Sequence, residues 1–233
     1  MTSATYIARR NELERYFDRT AVDAWKRLTS DAPVGRIRAT VRAGRDAMRD
    51  TLLSWLPDDL RAARVLDAGC GTGAMAVALA RRGADVHAID ISPSLIELAR
   101  ARAPRDLVGG SATFVVGDML DPHLGRFDYV VAMDSLIHYD AADISRTTAS
   151  LAARTRSSIV FTIAPRTFAL SVMHAAGRMF PRGHRAPAIL PISPRAIERR
   201  LASELGLENW RIARSARIDN GFYISQALEV IRA

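Results

Sequence analysis

The sequence predicts an α/β fold: a mostly parallel sheet of seven strands with helices on both faces, completed by an antiparallel C-terminal hairpin. Three observations carry this. From Arg64 to Ile163, apolar strand-like runs alternate with helix-like runs, the pattern of parallel strands joined by helical crossovers. The first of those strands, Val65–Asp67, enters a turn holding Gly69, Gly71 and Gly73 and then a helix. Near the C-terminus, strand-like segments at about Trp210–Ile218 and Phe222–Ile231 flank Asp219-Asn220-Gly221, a hairpin signal.

In chain order, Leu13, Tyr16, Phe17, Ala21, Ala24, Trp25 and Leu28 recur at spacings of three and four, which predicts an amphipathic helix from Asn11, bent or broken near Thr20. A second helix is expected over Arg36–Trp55, with Ile37, Val41, Met48, Leu52 and Trp55 on one side and Pro57 ending it. Residues 1–57 thus form a helical arm outside the α/β repeat, a lid over the ligand, and residues 58–233 form the main domain. Within the repeat, strands at Val65–Asp67, Asp85–Asp90, Ala112–Gly117, Phe127–Met133 and Ser157–Ile163 are separated by helices at Gly73–Arg82, Pro93–Ala103 and Ala141–Arg154. Ser92 is a natural N-cap with Pro93 in the first turn. Beyond Ile163, an apolar helix Phe168–Phe180 and a basic loop Pro181–Pro191 make an insertion, residues 164–192, placed to cover a substrate. Ser193 caps a further helix through Leu205, which Gly206 stops.

Composition narrows the function. The 233 residues carry a formal net charge of +8, and Lys26 is the only lysine, so the positive charge is arginine. Those arginines are scattered, with no zinc-finger or helix-turn-helix signature, which fits a solvated basic surface rather than a nucleic-acid partner. No apolar run reaches the roughly 18 residues of a membrane span, so any membrane contact is peripheral. The first 28 residues mix Arg, Glu and Asp, unlike a signal or transit peptide, and the expected location is the cytoplasm. The single cysteine, Cys70, excludes an internal disulfide and reads as a small filler of the glycine turn. No His, Cys and acid trio has metal-ligand spacing, so no protein-bound metal is expected.

The glycine turn carries the ligand chemistry. Asp67-Ala68-Gly69-Cys70-Gly71-Thr72-Gly73 differs from the dinucleotide pattern G-x-G-x-x-G, because its third glycine comes one residue early and Ala74 follows. The turn puts backbone N–H groups at a helix N-terminus, where a polar ligand edge can sit. A carboxylate at Asp67 repels a pyrophosphate but suits the ammonium of S-adenosylmethionine. Asp90, 17 residues past Gly73 at the end of the next strand, is placed for ribose hydroxyls, with Ile91 beside it. After the third strand, Asp118 suits an adenine amino group and Met119 the ring face. Met133-Asp134-Ser135-Leu136-Ile137-His138-Tyr139 follows the fourth strand; Asp134 joins the cofactor set, and His138 faces the place of transfer. His87, His123 and His174 read as structural.

With these residues the chain resembles the class I S-adenosylmethionine-dependent methyltransferases, whose Rossmann-like fold has the same closing hairpin. Four further stretches resemble one branch, the magnesium-protoporphyrin IX O-methyltransferases of chlorophyll and bacteriochlorophyll biosynthesis. They are Tyr16-Phe17 with Trp25; Leu136-Ile137-His138-Tyr139; Phe161-Thr162-Ile163-Ala164-Pro165-Arg166-Thr167 leading to Phe180-Pro181; and Phe222-Tyr223-Ile224-Ser225. Arg166 stands where relatives often carry lysine. Leu28-Thr29 stands where they often carry a tyrosine, leaving Tyr16, or no arm residue, for a catalytic role.

The resemblance implies methyl transfer to a propionate of magnesium-protoporphyrin IX, giving its monomethyl ester. A propionate is ionised at neutral pH, so alignment and water exclusion are what the protein must supply. His138 is then the positioning residue, holding the reacting propionate or lying close to the magnesium. Trp25, Ile137, Tyr139 and Met173 are placed on the porphyrin, and Arg166 or the loop arginines Arg182 and Arg185 neutralise propionates. The family further implies contact with magnesium chelatase and with the photosynthetic membrane surface. The rival readings are a methyltransferase of another small carboxylate or a quinol, a nicotinamide dehydrogenase, disfavoured by Asp67, Ala74 and the hairpin, and a nucleic-acid binder that rests on charge alone.

Overall fold

The computed structural model describes residues 3–19, 35–166 and 188–233. Trp25, Met173, Arg182 and Arg185, the expected break near Thr20, and the apolar helix Phe168–Phe180 lie outside the described residues.

Among the described residues, two helices, α1 (Ala4–Arg19) and α2 (Arg36–Ser54), precede the sheet. Five parallel strands follow: β1 (Arg64–Ala68), β2 (Asp85–Asp90), β3 (Ser111–Val116), β4 (Phe127–Ala132) and β5 (Thr155–Ile163). Between them lie α3 (Ala74–Arg81), α4 (Pro93–Arg102) and α5 (Ala141–Ala152). After α6 (Pro194–Ala202), β6 (Trp210–Asn220) and β7 (Tyr223–Arg232) finish the sheet in the order β3-β2-β1-β4-β5-β7-β6, with β7 antiparallel to both neighbours. The expected seven strands and closing hairpin are therefore present. The hairpin turn is Gly221-Phe222, two residues past the expected start, with Gly221 at φ +61° as a two-residue turn demands of its first position.

Both sheet faces are covered, which is why the strands read as continuous apolar runs. Consecutive residues point to opposite layers: Leu66, Val130 and Phe161 into one, Val65, Val131 and Val160 into the other. The first layer is closed by α1, α5 and α6, through side chains such as Leu13, Ile144 and Ile197. The second is closed by α2, α3 and α4, through Met48, Leu79 and Ile96. Hence α2, read from sequence as part of an arm, is anchored in the core by Met48, Leu52 and Leu53.

Local signals explain the boundaries. Ser92 Oγ accepts from the Leu95 N–H at 3.3 Å, as its N-cap position requires. The first helix starts at Ala4 rather than Asn11, because Ser3 Oγ accepts from the Tyr6 N–H at 3.1 Å. The helix at Pro194 stops at Ala202 rather than Leu205; Glu204 leaves the helical path to bond Ser145 on α5.

Candidate active site

All five parallel strands point their C-terminal ends to one edge, and a cavity of about 550 Å³ opens there. Its floor is the glycine turn. Gly69 has φ +83°, and a Cβ there would overlap the Ser135 side chain. Gly71 has φ +53° and faces open space, so the backbone is bare toward the cavity. The turn is bound tightly to β2. The Gly69 and Cys70 N–H groups both donate to Ile89 O (2.8 and 3.0 Å), and the Gly71 N–H donates to Asp90 Oδ2 at 2.9 Å. These three N–H groups of the turn are therefore committed to the protein. The ligand's sign is set by the acids instead.

Asp67 is 1% exposed, and its Oδ2 is buried with no hydrogen-bond partner among the described residues. Burial, then the nearby Asp90 charge, pushes its pKa up to about 7, against a lowering contact from the Ala76 N–H. A buried acceptor left open in this way costs free energy until a cation or donor meets it. The ammonium of an amino-acid group fits that requirement. Asp90 is also raised by burial, but the N–H groups of Ser92 (2.9 Å) and Gly71 fix both its oxygens in place, and each oxygen keeps a lone pair for a ribose hydroxyl. Burial and the two acids raise the Cys70 thiol, so it stays protonated and fills space.

The opposite wall comes from the mouth of β4. Asp134 has φ +55°, uncommon for a residue with a side chain. It is held by three distant elements: Arg45 Nη1 donates to Oδ2 at 2.5 Å, Tyr223 Oη donates to Oδ1 at 2.9 Å, and Thr162 Oγ1 accepts from the Asp134 N–H at 2.7 Å. His138 is 8% exposed and faces the cavity. Burial pulls its pKa down to about 4, so it is neutral at pH 7. Its Nδ1 lies 3.5 Å from the Ala188 carbonyl. A carbonyl only accepts, so Nδ1 carries the proton and Nε2 keeps its lone pair.

The roof is α1. Tyr6, Leu13 and Phe17 line the cavity from one face of that helix. Tyr6 stacks on Tyr139 (centroids 4.9 Å apart), and Phe17 meets the His138 ring edge-on at 5.8 Å. Polar tethers hold the helix down: Tyr6 Oη and Arg10 Nη1 donate to Asp118 (2.7 and 2.9 Å), and Asp18 accepts from the Ser94 hydroxyl at 2.7 Å.

Of the residues singled out from sequence, Asp67, Gly69, Cys70, Gly71, Asp90, Ile91, Met119, Asp134, His138 and Tyr139 all border the cavity. Four described ones do not. Asp118 is occupied by α1. Tyr16 packs on Phe17, which takes the cavity-facing position. Ile137 uses its carbonyl to accept from the Leu190 N–H at 2.9 Å. Arg166 is exposed, with its N–H on Ile192 O, at a parallel bridge of Pro165 and Ile192 that pins the base of the 164–192 insertion. Sequence reading missed Tyr6, Arg42 and Arg45. For Tyr6 a signal was present, since Tyr6, Leu13 and Phe17 recur at helical spacing once the Ser3 cap is seen.

Comparison with known proteins agrees. Residues 132–232 match the family model described as magnesium-protoporphyrin IX methyltransferase C-terminus, and residues 65–158 match a methyltransferase domain. The chain is 52% identical to magnesium-protoporphyrin O-methyltransferase of Rhodobacter capsulatus, covering 96% of this chain and 97% of that protein. It is 31% identical to the enzyme so named from Synechocystis sp., covering 94% of each. The crystal structure of magnesium protoporphyrin IX methyltransferase from Synechocystis PCC 6803 with bound SAH superposes with a TM-score of 0.82 at 30% identity, over 96% of this chain and 99% of that one.

Proposed function

The chain belongs to the magnesium-protoporphyrin O-methyltransferase family, and on that premise we propose that it esterifies one propionate of magnesium-protoporphyrin IX in chlorophyll or bacteriochlorophyll biosynthesis. The observation that carries the reading is the open Asp67 oxygen in a glycine turn, facing a cavity that continues to a neutral His138 beneath aromatic cover. When bound, S-adenosylmethionine supplies a methyl group activated by its sulfonium.

The chain's own residues do the rest. Asp67 takes the ammonium, Asp90 the ribose, and Ile91 and Met119 the apolar edge of the adenosine. No base is required, because the acceptor carboxylate is already ionised. His138 positions the acceptor. With a lone pair on Nε2, it suits the porphyrin magnesium better than a carboxylate oxygen, which would meet it acceptor to acceptor. Tyr139, Tyr6 and Phe17 exclude water and offer aromatic surface to a flat ring. Tyr16 acts, on this reading, through Phe17.

Of the expected arm, residues 1–57, the same proposal keeps α1 as the lid, α2 being part of the core, and it assigns residues 164–192 as the cap, supported by the tethers of α1 and by the pinned base of the insertion. Tyr6→Ala removes both a hydrogen bond and a ring stack, so local opening of α1 should increase roughly 10-fold or more. Proteolysis within α1 and the KM for porphyrin report this; if neither changes, α1 is no lid. Peripheral membrane contact is part of the reading, supported by the +8 charge; among the described residues no helix is long and apolar enough to cross a membrane. Contact with magnesium chelatase rests on the family resemblance.

The deciding experiment incubates the protein with S-adenosylmethionine and magnesium-protoporphyrin IX, with metal-free porphyrin and a quinol as comparison acceptors. Mass spectrometry should show the porphyrin monomethyl ester. Methylation of the quinol with none of the porphyrin would overturn the proposal.

A further inference from the structure

Two buried polar atoms at the cavity stand without a partner, and the proposed reaction has so far used one of them. Among the described residues, four buried side-chain N or O atoms accept or donate no hydrogen bond: Asp67 Oδ2, His87 Nε2, Ser135 Oγ and Arg146 Nε. Asp67 and Ser135 border the cavity, and His87 and Arg146 do not. The Asp67 oxygen meets the cofactor ammonium on the reading above. The Ser135 hydroxyl has no part in it.

Ser135 is set in place by both walls of the cavity. It follows Asp134, fixed at φ +55° by Arg45, Thr162 and Tyr223, and it packs against the glycine turn. A Cβ on Gly69 would overlap the Ser135 Cβ and stand 3.2 Å from Oγ. So close an approach demands a small side chain at 135, but alanine would satisfy it as well. Ser135 is also the N-cap residue of a single 3-10 turn, Leu136–His138, yet its side chain makes no cap bond. A buried hydroxyl left unpaired costs free energy that a methyl group does not.

The turn also relates this hydroxyl to the acceptor. In 3-10 geometry, side chains three residues apart eclipse one another. Ser135 and His138 therefore project to the same side, and both border the cavity. The serine lies at the seam where the glycine turn meets the ring assigned to the acceptor. A reacting carboxylate offers only lone pairs and needs a donor to hold it. Two groups beneath α1 do not supply one: His138 Nε2 carries a lone pair, and the Tyr6 hydroxyl already donates to Asp118.

We propose that the Ser135 hydroxyl, brought to the cavity by one step between the staggered wells of χ1, donates to the acceptor carboxylate during methyl transfer. The bond goes to the oxygen that is not alkylated. The other oxygen attacks the methyl carbon, the carbon–sulfur bond breaks, and its electron pair leaves with sulfur; no proton moves. The hydroxyl thus fixes which oxygen faces the methyl group. This assignment rests on the methyltransferase reading above and adds to it a residue that holds the substrate.

Ser135→Ala keeps the packing against Gly69 and removes the donor. The kcat/KM for magnesium-protoporphyrin should fall roughly 10- to 100-fold, as expected when a charged acceptor loses a hydrogen bond. Calorimetry should show unchanged affinity for S-adenosylhomocysteine. With that ligand present, fluorescence titration should show weaker binding of magnesium-protoporphyrin and nearly unaltered binding of its dimethyl ester, which has no carboxylate. The variant should melt no lower than the wild-type protein, because the hydroxyl has no partner in the fold to lose. An unchanged kcat/KM overturns the proposal, as does an equal loss of affinity for acid and ester. Weaker S-adenosylhomocysteine binding would place the hydroxyl at the cofactor, and a lowered melting temperature would give it a structural partner; either result overturns the proposal too. If the wild-type chain forms no porphyrin ester, the methyltransferase reading falls and takes this assignment with it, an outcome visible before any variant is compared.

Discussion

Replacing Asp67 with Asn should lower affinity for S-adenosylhomocysteine about 100-fold or more, because a buried charge pair loses one member. The same change should make the ligand-free protein more stable at pH 8. The reason is the direction of the Asp67 shift. Its carboxyl is raised to about 7 in the fold, from the ordinary value of 3.8. The folded state therefore binds a proton that the unfolded state releases, and this group's contribution is full below about pH 4 and lost as pH rises through 7. Its ionised form then opposes folding by about 4 kcal/mol. Calorimetric melting should show a gap between the Asp67→Asn variant and the wild-type protein that is widest above pH 7 and closes near pH 4. Wild-type affinity should also fall about tenfold per unit below pH 7, since the ammonium needs the ionised acid. Unchanged affinity in Asp67→Asn would remove the acid from the cofactor site.

His138→Ala should reduce kcat roughly 10²-fold or more while leaving S-adenosylhomocysteine affinity nearly unchanged. The residue stands between the Phe17 ring and the Ala188 carbonyl, and on the proposed reading it faces the acceptor rather than the cofactor. Because burial holds it neutral down to about pH 4, no protonation step near 6.5 should shape turnover. The kcat profile of the wild-type enzyme, at saturating cofactor, should be flat from about pH 6 to 8 in any contribution from this ring. A kcat unaffected by the substitution would exclude His138 from the reaction. A break near 6.5 that vanishes in the variant would instead show the ring titrating as an exposed histidine does.

What the sequence disclosed and what it hid divide by distance along the chain. Asp67, the glycines and Asp90 lie within 24 residues, and strand periodicity with glycine chemistry places all of them. Strand bounds were legible for the same reason: each is a short apolar run closed by a turn residue. The cavity's other walls come from long-range docking. Arg45 meets Asp134 across 89 positions, and Tyr6 meets Asp118 across 112. Nothing in the local pattern of α2 distinguishes an arginine facing a cavity from one facing water. The contact of Gly44 with Tyr223, from opposite ends of the chain, together with Met48, Leu52 and Leu53 in the core, fixes which arginines turn inward. Asp118 shows the converse. Its position after β3 suits a ligand, yet both its oxygens serve the arm.

The positive-φ residue at the mouth of β4 has a consequence for biogenesis. Asp134 is gripped by Arg45 from before the sheet, Thr162 from its middle and Tyr223 from its closing strand. A nascent chain that has not yet reached Tyr223 has already emerged with its cofactor turn, but without the hydroxyl that completes this grip. The grip on Asp134 is therefore completed only once the closing strand has been translated.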